Sequence, residues 1–423
     1  MPQNLCRLCI VVFVSMSAAF ADTSPMLRQS SDSEVKGVWI ATVANLNWSS
    51  QAGLSAEQQK AEAVAILDKA QSLGINLIVF QVRPTGDAFY KSDYFPWSQC
   101  LTGTQGKDPG YDPLAFWIEE SHKRKIDLHA WINPYRLTMG GGNGETPDLK
   151  QFSADHPAHK HPDWVIAYAD KKTYFDPGIP ECRKYIVAAG LEIVKKYDVD
   201  GIHIDDYFYP YPASVQDAEG KKSVVPFPDD KSFAVYGGDF FRTDQRAAWR
   251  RNNVNLMIKE LHSGIRSIKP DVQFGISPFG IWRNKSTDPA GSDTSGLQSY
   301  DALHADTKFW IENGDIDYVT PQLYWNIGFR VADYEKLLAW WSDLAAKNPN
   351  VRLYVGQAAH RVGGEKATPW EGCEEIVRQI KMNRNNPLVK GQILFGWQMI
   401  AGNRAGLADR LKTLFAIYDA VSE

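Results

Sequence analysis

The chain has 423 residues, 44% of them hydrophobic, and a formal charge of −4. That length supports a sizeable core, and a charge so near neutrality argues against the strongly basic face a nucleic-acid partner requires. Fourteen Trp and eighteen Tyr are many for this length; their flat faces with one polar tip suit sugar rings, although large α/β cores use them too.

At the N-terminus Arg7 precedes an apolar run over 8–20, and Ala19-Phe20-Ala21 has the small-x-small form of a cleavage site before polar DTSP. Residues 1–21 read as an export signal, too short to span a bilayer comfortably. The expected mature protein, 22–423, is exported to the periplasm or cell envelope and is not integral to the membrane. Cys6 and Cys9 leave with the signal, so Cys100, Cys182 and Cys373 remain. Three is odd, so at least one thiol stays free or pairs outside the chain.

From residue 34 short β-type runs alternate with helical patterns. The predicted strands are 35–42, 75–82, 127–133, 201–205, 272–277, 316–323, 352–357 and 391–397. The predicted helices are 55–73, 113–123, 182–197, 242–268, 302–312, 334–345, 371–383 and 407–418. Eight strands, each followed by a helix, imply a parallel sheet covered by helices. The count fits an α/β fold of one kind, a (β/α)8 TIM barrel with enlarged βα loops. An open doubly wound sheet would need a glycine-rich phosphate turn after an early strand, and neither Gly37 nor Gly74 forms one. The long segments follow strands two to five, on the carboxyl face where barrels build their sites.

Polar and aromatic residues gather at those strand ends. Strand two ends in Gln81, Arg83 and Asp87, and strand three in His129, Trp131, Asn133, Tyr135 and Arg136. Strand four gives His203, Asp205, Asp206 and Tyr207, and strand five gives Ser277, Phe279, Trp282 and Arg283. Strand six gives Gln322, Tyr324 and Trp325, and strand eight Trp397. Each has a plainer reading: histidines hydrogen-bonded inside the barrel, an arginine neutralising an aspartate, tryptophans in the core. Their convergence on one rim carries the argument, because a packed interior would favour Val, Ile and Leu there. His156, His159 and His161 lie within six residues in a proline-rich stretch, which we read as a solvated loop. No metal site, nucleophilic serine elbow, phosphate loop or cofactor is implied.

The segment DGIHIDDYFYPYP, residues 200–212, concentrates the chemistry. An apolar run ends in two adjacent carboxylates and passes into an aromatic loop. Paired acids can also cap a helix or sit in a turn. On a barrel rim beside sugar-stacking rings they fit glycosidic cleavage, which needs carboxyl groups with separated pKa values. A double displacement places two carboxyls about 5 Å apart across the bond; neighbours on an ideal strand point to opposite faces, which disfavours it. A substrate-assisted route, in which an N-acetyl group attacks, suits adjacent acids better. The expected order is Asp206 as general acid and Asp205 as acetamide-orienting or nucleophilic group, with Gln322 and Tyr324 holding the acetamide oxygen.

The blocks GVWIATVANLNW, FQVRPTGDAFY, HAWINPYRLT, DGIHIDDYFYPYP, FGISPFGIWRN and DYVTPQLYW resemble the bacterial glycosyl-hydrolase-like 10 family, of the divisome-localised glycosyl hydrolase type. The resemblance runs from about residue 34 to 400. It implies a (β/α)8 barrel acting on a polysaccharide, the glycan strands of peptidoglycan, particularly strands stripped of peptide, with the cell-division machinery as a possible partner. The Asp-Asp also resembles the acid pair of substrate-assisted N-acetyl-hexosaminidases, and QLYW the sixth strand of chitinases, whose Glu after the fourth strand this chain lacks. A catalytically silent barrel that binds septal wall glycan would use the same aromatic rim, and stays open as the alternative.

Overall fold

The structure, a computed structural model, describes residues 33–216 and 219–419; the expected export signal lies outside them. Eight parallel strands close into a barrel: β1 (Val35–Ile40), β2 (Leu77–Arg83), β3 (Asp127–Ile132), β4 (Gly201–Ile204), β5 (Gln273–Ile276), β6 (Tyr318–Val319), β7 (Arg352–Gln357) and β8 (Val389–Leu394). The ring closes where β1 pairs with β8, Val35 opposite Gly391 and Val38 opposite Leu394. The (β/α)8 architecture expected from the sequence is the one observed.

The covering helices are α1 (Ala56–Ser72), α2 (Pro113–Lys123), α3 (Pro180–Lys196), α4 (Arg246–Ile268), α5 (Thr307–Asn313), α6 (Tyr334–Ala345), α7 (Glu374–Arg384) and α8 (Leu407–Asp419). Their starts are written locally. Ser55 and Gln58 form a reciprocal capping box at α1. Asp112 accepts the Ala115 N–H at 3.1 Å, with Pro113 in the first turn of α2. Such side chains occupy backbone donors that a helix start leaves without partners.

Besides the eighth strand, which stops at Leu394 and not at residue 397, two elements differ from expectation. The sixth strand is paired only over Tyr318–Val319, because Pro321 has no N–H to continue the ladder; Gln322 rejoins through single bridges to Phe279 and Gly356. The predicted helix over 302–312 is divided into Ser299–Ala302 and α5, with His304 at φ 54 between them and Asp306 capping the second piece.

Inside the barrel Trp39, Leu77, Val79, Trp131, Tyr318, Tyr354 and Ile393 form one apolar cluster. Two glycines make room for its rings. A Cβ on Gly201 would stand 2.6 Å from the His129 ring, and one on Gly275 would stand 2.0 Å from the Tyr318 ring. Outward-facing strand residues such as Val38, Ile40, Phe80 and Ile202 join the larger cluster beneath the helices.

The enlarged loops carry two hairpins that the sequence patterns did not signal, Val165–Ala167 with Thr173–Phe175 and Ala213–Gln216 with Lys222–Val225. The Tyr168 hydroxyl ties the loops together, donating to the Val225 carbonyl at 2.7 Å and accepting from the Ala213 N–H at 2.9 Å. The β4 loop, which bears the aromatic run, is therefore braced against the β3 loop. The histidine-rich stretch is only in part the solvated loop expected, since His159 is exposed. His156 is fully buried and stacks on Phe152 at 4.1 Å, and His161 stacks on Trp164 at 3.7 Å. Cys100, Cys182 and Cys373 are all free thiols.

Candidate active site

A cavity of about 350 Å³ opens at the carboxyl ends of the strands. Asp205 and Asp206 form part of its wall, directly after β4 ends. Both side chains are 4% exposed. The Tyr207 N–H donates to Asp205 Oδ1 at 3.3 Å, and the Tyr211 hydroxyl donates to Asp206 Oδ2. Burial raises the pKa of both, since a charge withdrawn from water is disfavoured. Asp205 is pushed well above the ordinary range, by burial and then by the charge of Asp206. Asp206 is raised too, against the opposing hydrogen bond from Tyr211. Two such neighbours titrate as a pair.

Arg136 is the cation in this wall. It is 6% exposed, and Nε and Nη2 donate to the Pro84 carbonyl at 3.2 and 3.0 Å. Its guanidinium lies 4.6 Å over the Tyr207 ring, and its charge favours ionisation of both acids. Burial and the two acids push the Tyr207 phenol up to about 12. Gln322 donates its amide to the Ser277 carbonyl at 2.9 Å. Aromatic rings enclose the remaining space: Phe279 packs edge-on to Trp325 at 5.5 Å, and Tyr324 stacks on Phe395 at 6.1 Å. An aromatic vault above a carboxyl pair can hold a sugar ring and exchange a proton with it.

Of the residues expected at the site, Trp131, Arg136, Asp205, Asp206, Tyr207, Gln322, Tyr324 and Trp325 line this cavity. The others lie elsewhere, each for a local reason. His129 and His203 stand inside the barrel, where each places Nδ1 2.8 Å from the Tyr318 hydroxyl. The Trp39 indole N–H meets His203 Nε2 at 3.3 Å, which requires that nitrogen to accept. His203 Nδ1–H then donates to Tyr318, and Tyr318 donates to His129. Burial holds both rings neutral, with the His129 pKa near 4.

A register shift between Gln81 and Arg83 on β2 turns Gln81 into the cavity and leaves Arg83 fully buried, 4.8 Å from the Phe95 ring. Asn133 donates to the Pro84 carbonyl at 3.1 Å, and Tyr135 is buried in the core outside the barrel. Trp282 stacks on Trp340 at 5.9 Å in the β5 loop. Trp397 is not at a strand end: β8 stops at Leu394, Gly396 turns the chain at φ 123, and Trp397 starts a short helix buried in the core. Asp87 lines a neighbouring chamber.

The cavity is also lined by Gln81, Ser277 and Phe279, which stood among the expected strand-end residues, and by Trp39, Tyr211 and Phe395, which did not. Tyr211 was signalled by its place in the aromatic run after the acids. Phe395 was masked by the expected strand continuing to residue 397.

The architecture and the site together define the class, a barrel glycoside hydrolase. The family follows from comparison: the model of the glycosyl hydrolase-like 10 family matches residues 34–371, and the chain belongs to that family. It is 48% identical over 415 residues to glycosyl hydrolase YngK of Bacillus subtilis (strain 168), covering 97% of this chain and 78% of that one. It is 39% identical over 386 residues to glycosyl hydrolase DigH of Escherichia coli (strain K12), covering 88% of this chain and 84% of that one. The fold is shared with the PgaB (BpsB) glycoside hydrolase domain from Bordetella bronchiseptica, at a TM-score of 0.52 and 12% identity over 90% of this chain and 98% of that domain. It is also shared with α-L-fucosidase isoenzyme 2 from Paenibacillus thiaminolyticus, at 0.50 and 13% over 85% of this chain; the match spans 46% of that enzyme. Among the described residues no helix is long and apolar enough to cross a membrane, and no group of His, Cys, Asp and Glu is placed to hold a metal ion.

Proposed function

We propose that the protein cleaves the glycan strands of peptidoglycan, preferring peptide-free strands with N-acetylated sugars, in the cell envelope to which residues 1–21 direct it. The mature chain, 22–423, is then one catalytic barrel, and the septal wall is where the division machinery would meet it. The observation that carries the reading is the unequal setting of two adjacent buried acids: Asp206 accepts the Tyr211 hydroxyl and is also bonded by Gln322, while Asp205 has the long Tyr207 N–H contact at 3.3 Å and the Trp131 side chain, and is raised further. Asp205 therefore holds the proton and Asp206 the charge, which reverses the order expected from the sequence.

In this reaction the acetamide carbonyl oxygen attacks the anomeric carbon. The bond from that carbon to the glycosidic oxygen breaks, its electron pair stays with the oxygen, and the oxygen takes the proton of Asp205. The Asp206 carboxylate accepts the acetamide N–H and balances the positive charge of the cyclised sugar. Water then adds to the anomeric carbon, opens the ring, and returns a proton to Asp205. The raised pKa of Asp205 supports its role as donor near neutral pH. The Arg136 charge beside the pair supports ionisation of one acid rather than neither.

The test is digestion of peptide-free strands, with mass analysis of the new ends, by wild type, Asp205→Asn and Asp206→Asn. A thiazoline analogue of N-acetylglucosamine should inhibit, because it mimics the cyclised sugar. Wild type that binds strands without cutting them would make the barrel a glycan-binding protein instead.

A further inference from the structure

Beside the acid-bearing cavity lies a second chamber of about 250 Å³, built by the loops after β1, β2 and β3. Val43 and Met139 line both spaces, so the two are neighbours across one apolar ridge. Their chemistry differs. The first is walled by aromatic rings and holds Arg136. The second is lined by amide and hydroxyl side chains, among them Thr85, Gln99, Gln105 and Gln151, and its one ionisable carboxyl is Asp87. Asp87 is 2% exposed and accepts from Thr85 Oγ1 at 3.1 Å, the Gln99 N–H at 3.2 Å and Gln105 Nε2 at 3.3 Å. Ser98 adds a fourth hydrogen bond, so the donors around Asp87 fill the roughly four acceptor positions of a carboxylate and fix it in the chamber wall.

The ridge is firmly held. Ala44 and Asn45 adopt φ of 50 and 55, in the left-handed region that non-glycine residues rarely occupy. Asn45 Nδ2 donates to the Ser49 and Cys100 carbonyls, each at 2.9 Å, which fixes the β1 loop against the β2 loop. A strained backbone kept in place at a cleft wall is a feature of ligand clamps.

We propose that this chamber is a second sugar subsite, which takes an uncharged hydroxyl- and acetamide-bearing unit of the chain whose neighbour is cleaved beside Asp205 and Asp206. The assignment rests on the glycan-cleaving reading above. Amide and hydroxyl groups match sugar hydroxyls, and among the described residues no cation lines the chamber to hold an acidic substituent. Apolar Val43 and Met139 would lie under the linkage between the two units.

The experiment compares kcat/KM on long peptide-free glycan strands with that on an aryl glycoside of one N-acetylated sugar. Gln151→Trp and, separately, Gln99→Trp fill the chamber from two sides; both side chains are exposed, so a bulkier residue disturbs little packing. The expected result is a fall of about ten- to a hundredfold in the strand-over-aryl-glycoside ratio, carried by KM, the worth of one or two lost hydrogen-bonded groups. Asp87→Asn should lower the same ratio by less. An unchanged ratio in both tryptophan variants, with unchanged melting temperatures, would overturn the subsite. If wild type cuts neither substrate, the glycosidase reading fails, and strand affinity by calorimetry decides this one: weaker binding in the filled variants supports it, and equal binding overturns it.

Discussion

Two buried polar groups stand two residues apart on the inner side of the same strand run, and they are matched very differently. His203 is fully buried with partners on both nitrogens, Tyr318 on one side and Trp39 with Ser277 on the other. Asp205 is buried almost as deeply, beside a second acid, with the long Tyr207 N–H contact and the Trp131 side chain too weak to offset burial. Buried polar groups are normally satisfied, so the histidine network is stabilising structure. The poorly compensated acid at a cavity wall is the arrangement that enzymes use to set a catalytic pKa. Burial alone does not separate the two; the partners do.

The largest expected effect breaks the acid side. Asp205→Asn and Asp206→Asn should each lower turnover of glycan strands by about two to four orders of magnitude. Their melting temperatures should be no lower than wild type, because each removes a carboxyl whose charge burial disfavours. Steady-state kinetics with calorimetry on the same samples checks both halves. The histidine side should respond in the opposite sense. Tyr318→Phe removes the hydroxyl shared by His129 and His203, and should cost about 1–3 kcal/mol in denaturant unfolding while turnover stays within about tenfold.

Tyr211→Phe sharpens the comparison inside the acid pair. Its hydroxyl favours the charged form of Asp206. Without it the pKa of Asp206 rises further, so the acid limb of the pH–rate profile should move to higher pH, with about a tenfold loss of turnover at the wild-type optimum.

The smallest effect is on stability against pH. Asp176 is raised by burial from 3.8 to about 6, in the same direction as the pair. A carboxyl whose folded pKa lies above its unfolded value contributes stability that is full below the unfolded pKa. That stability is lost as pH rises through the folded one. Unfolding free energy should therefore fall between about pH 4 and 6, and Asp176→Asn should flatten that fall by on the order of 2 kcal/mol.

The barrel was legible because its signals are local. Runs such as LIVFQV and RLYVGQ, separated by capped helices, need no tertiary information, and α2, α6 and β7 lie where the sequence put them. The acids were legible for the same reason, as a polar pair ending an apolar run. Where the cavity lining differs from the expected residues, the causes are events of one or two residues. The register shift on β2 keeps Gln81 in the cavity but sends its strand-end neighbour Arg83 into the core. The turn at Gly396 sends Trp397 inward and brings Phe395 to the cavity. His203 and Asp205 share one side of the β4 run, so alternation could not tell a barrel-interior histidine from a cavity acid. Trp39 reached the cavity from the middle of the β1 run, which read as an ordinary buried strand.

The central claim is that the Asp205–Asp206 pair cleaves a glycosidic bond in an N-acetylated glycan. Its most direct test is mass analysis of peptide-free peptidoglycan strands after incubation with wild-type protein and with Asp205→Asn. The account predicts shortened strands carrying one added water per cut from wild type and intact strands from the variant. Equal cleavage by both, or intact strands from both, would contradict it.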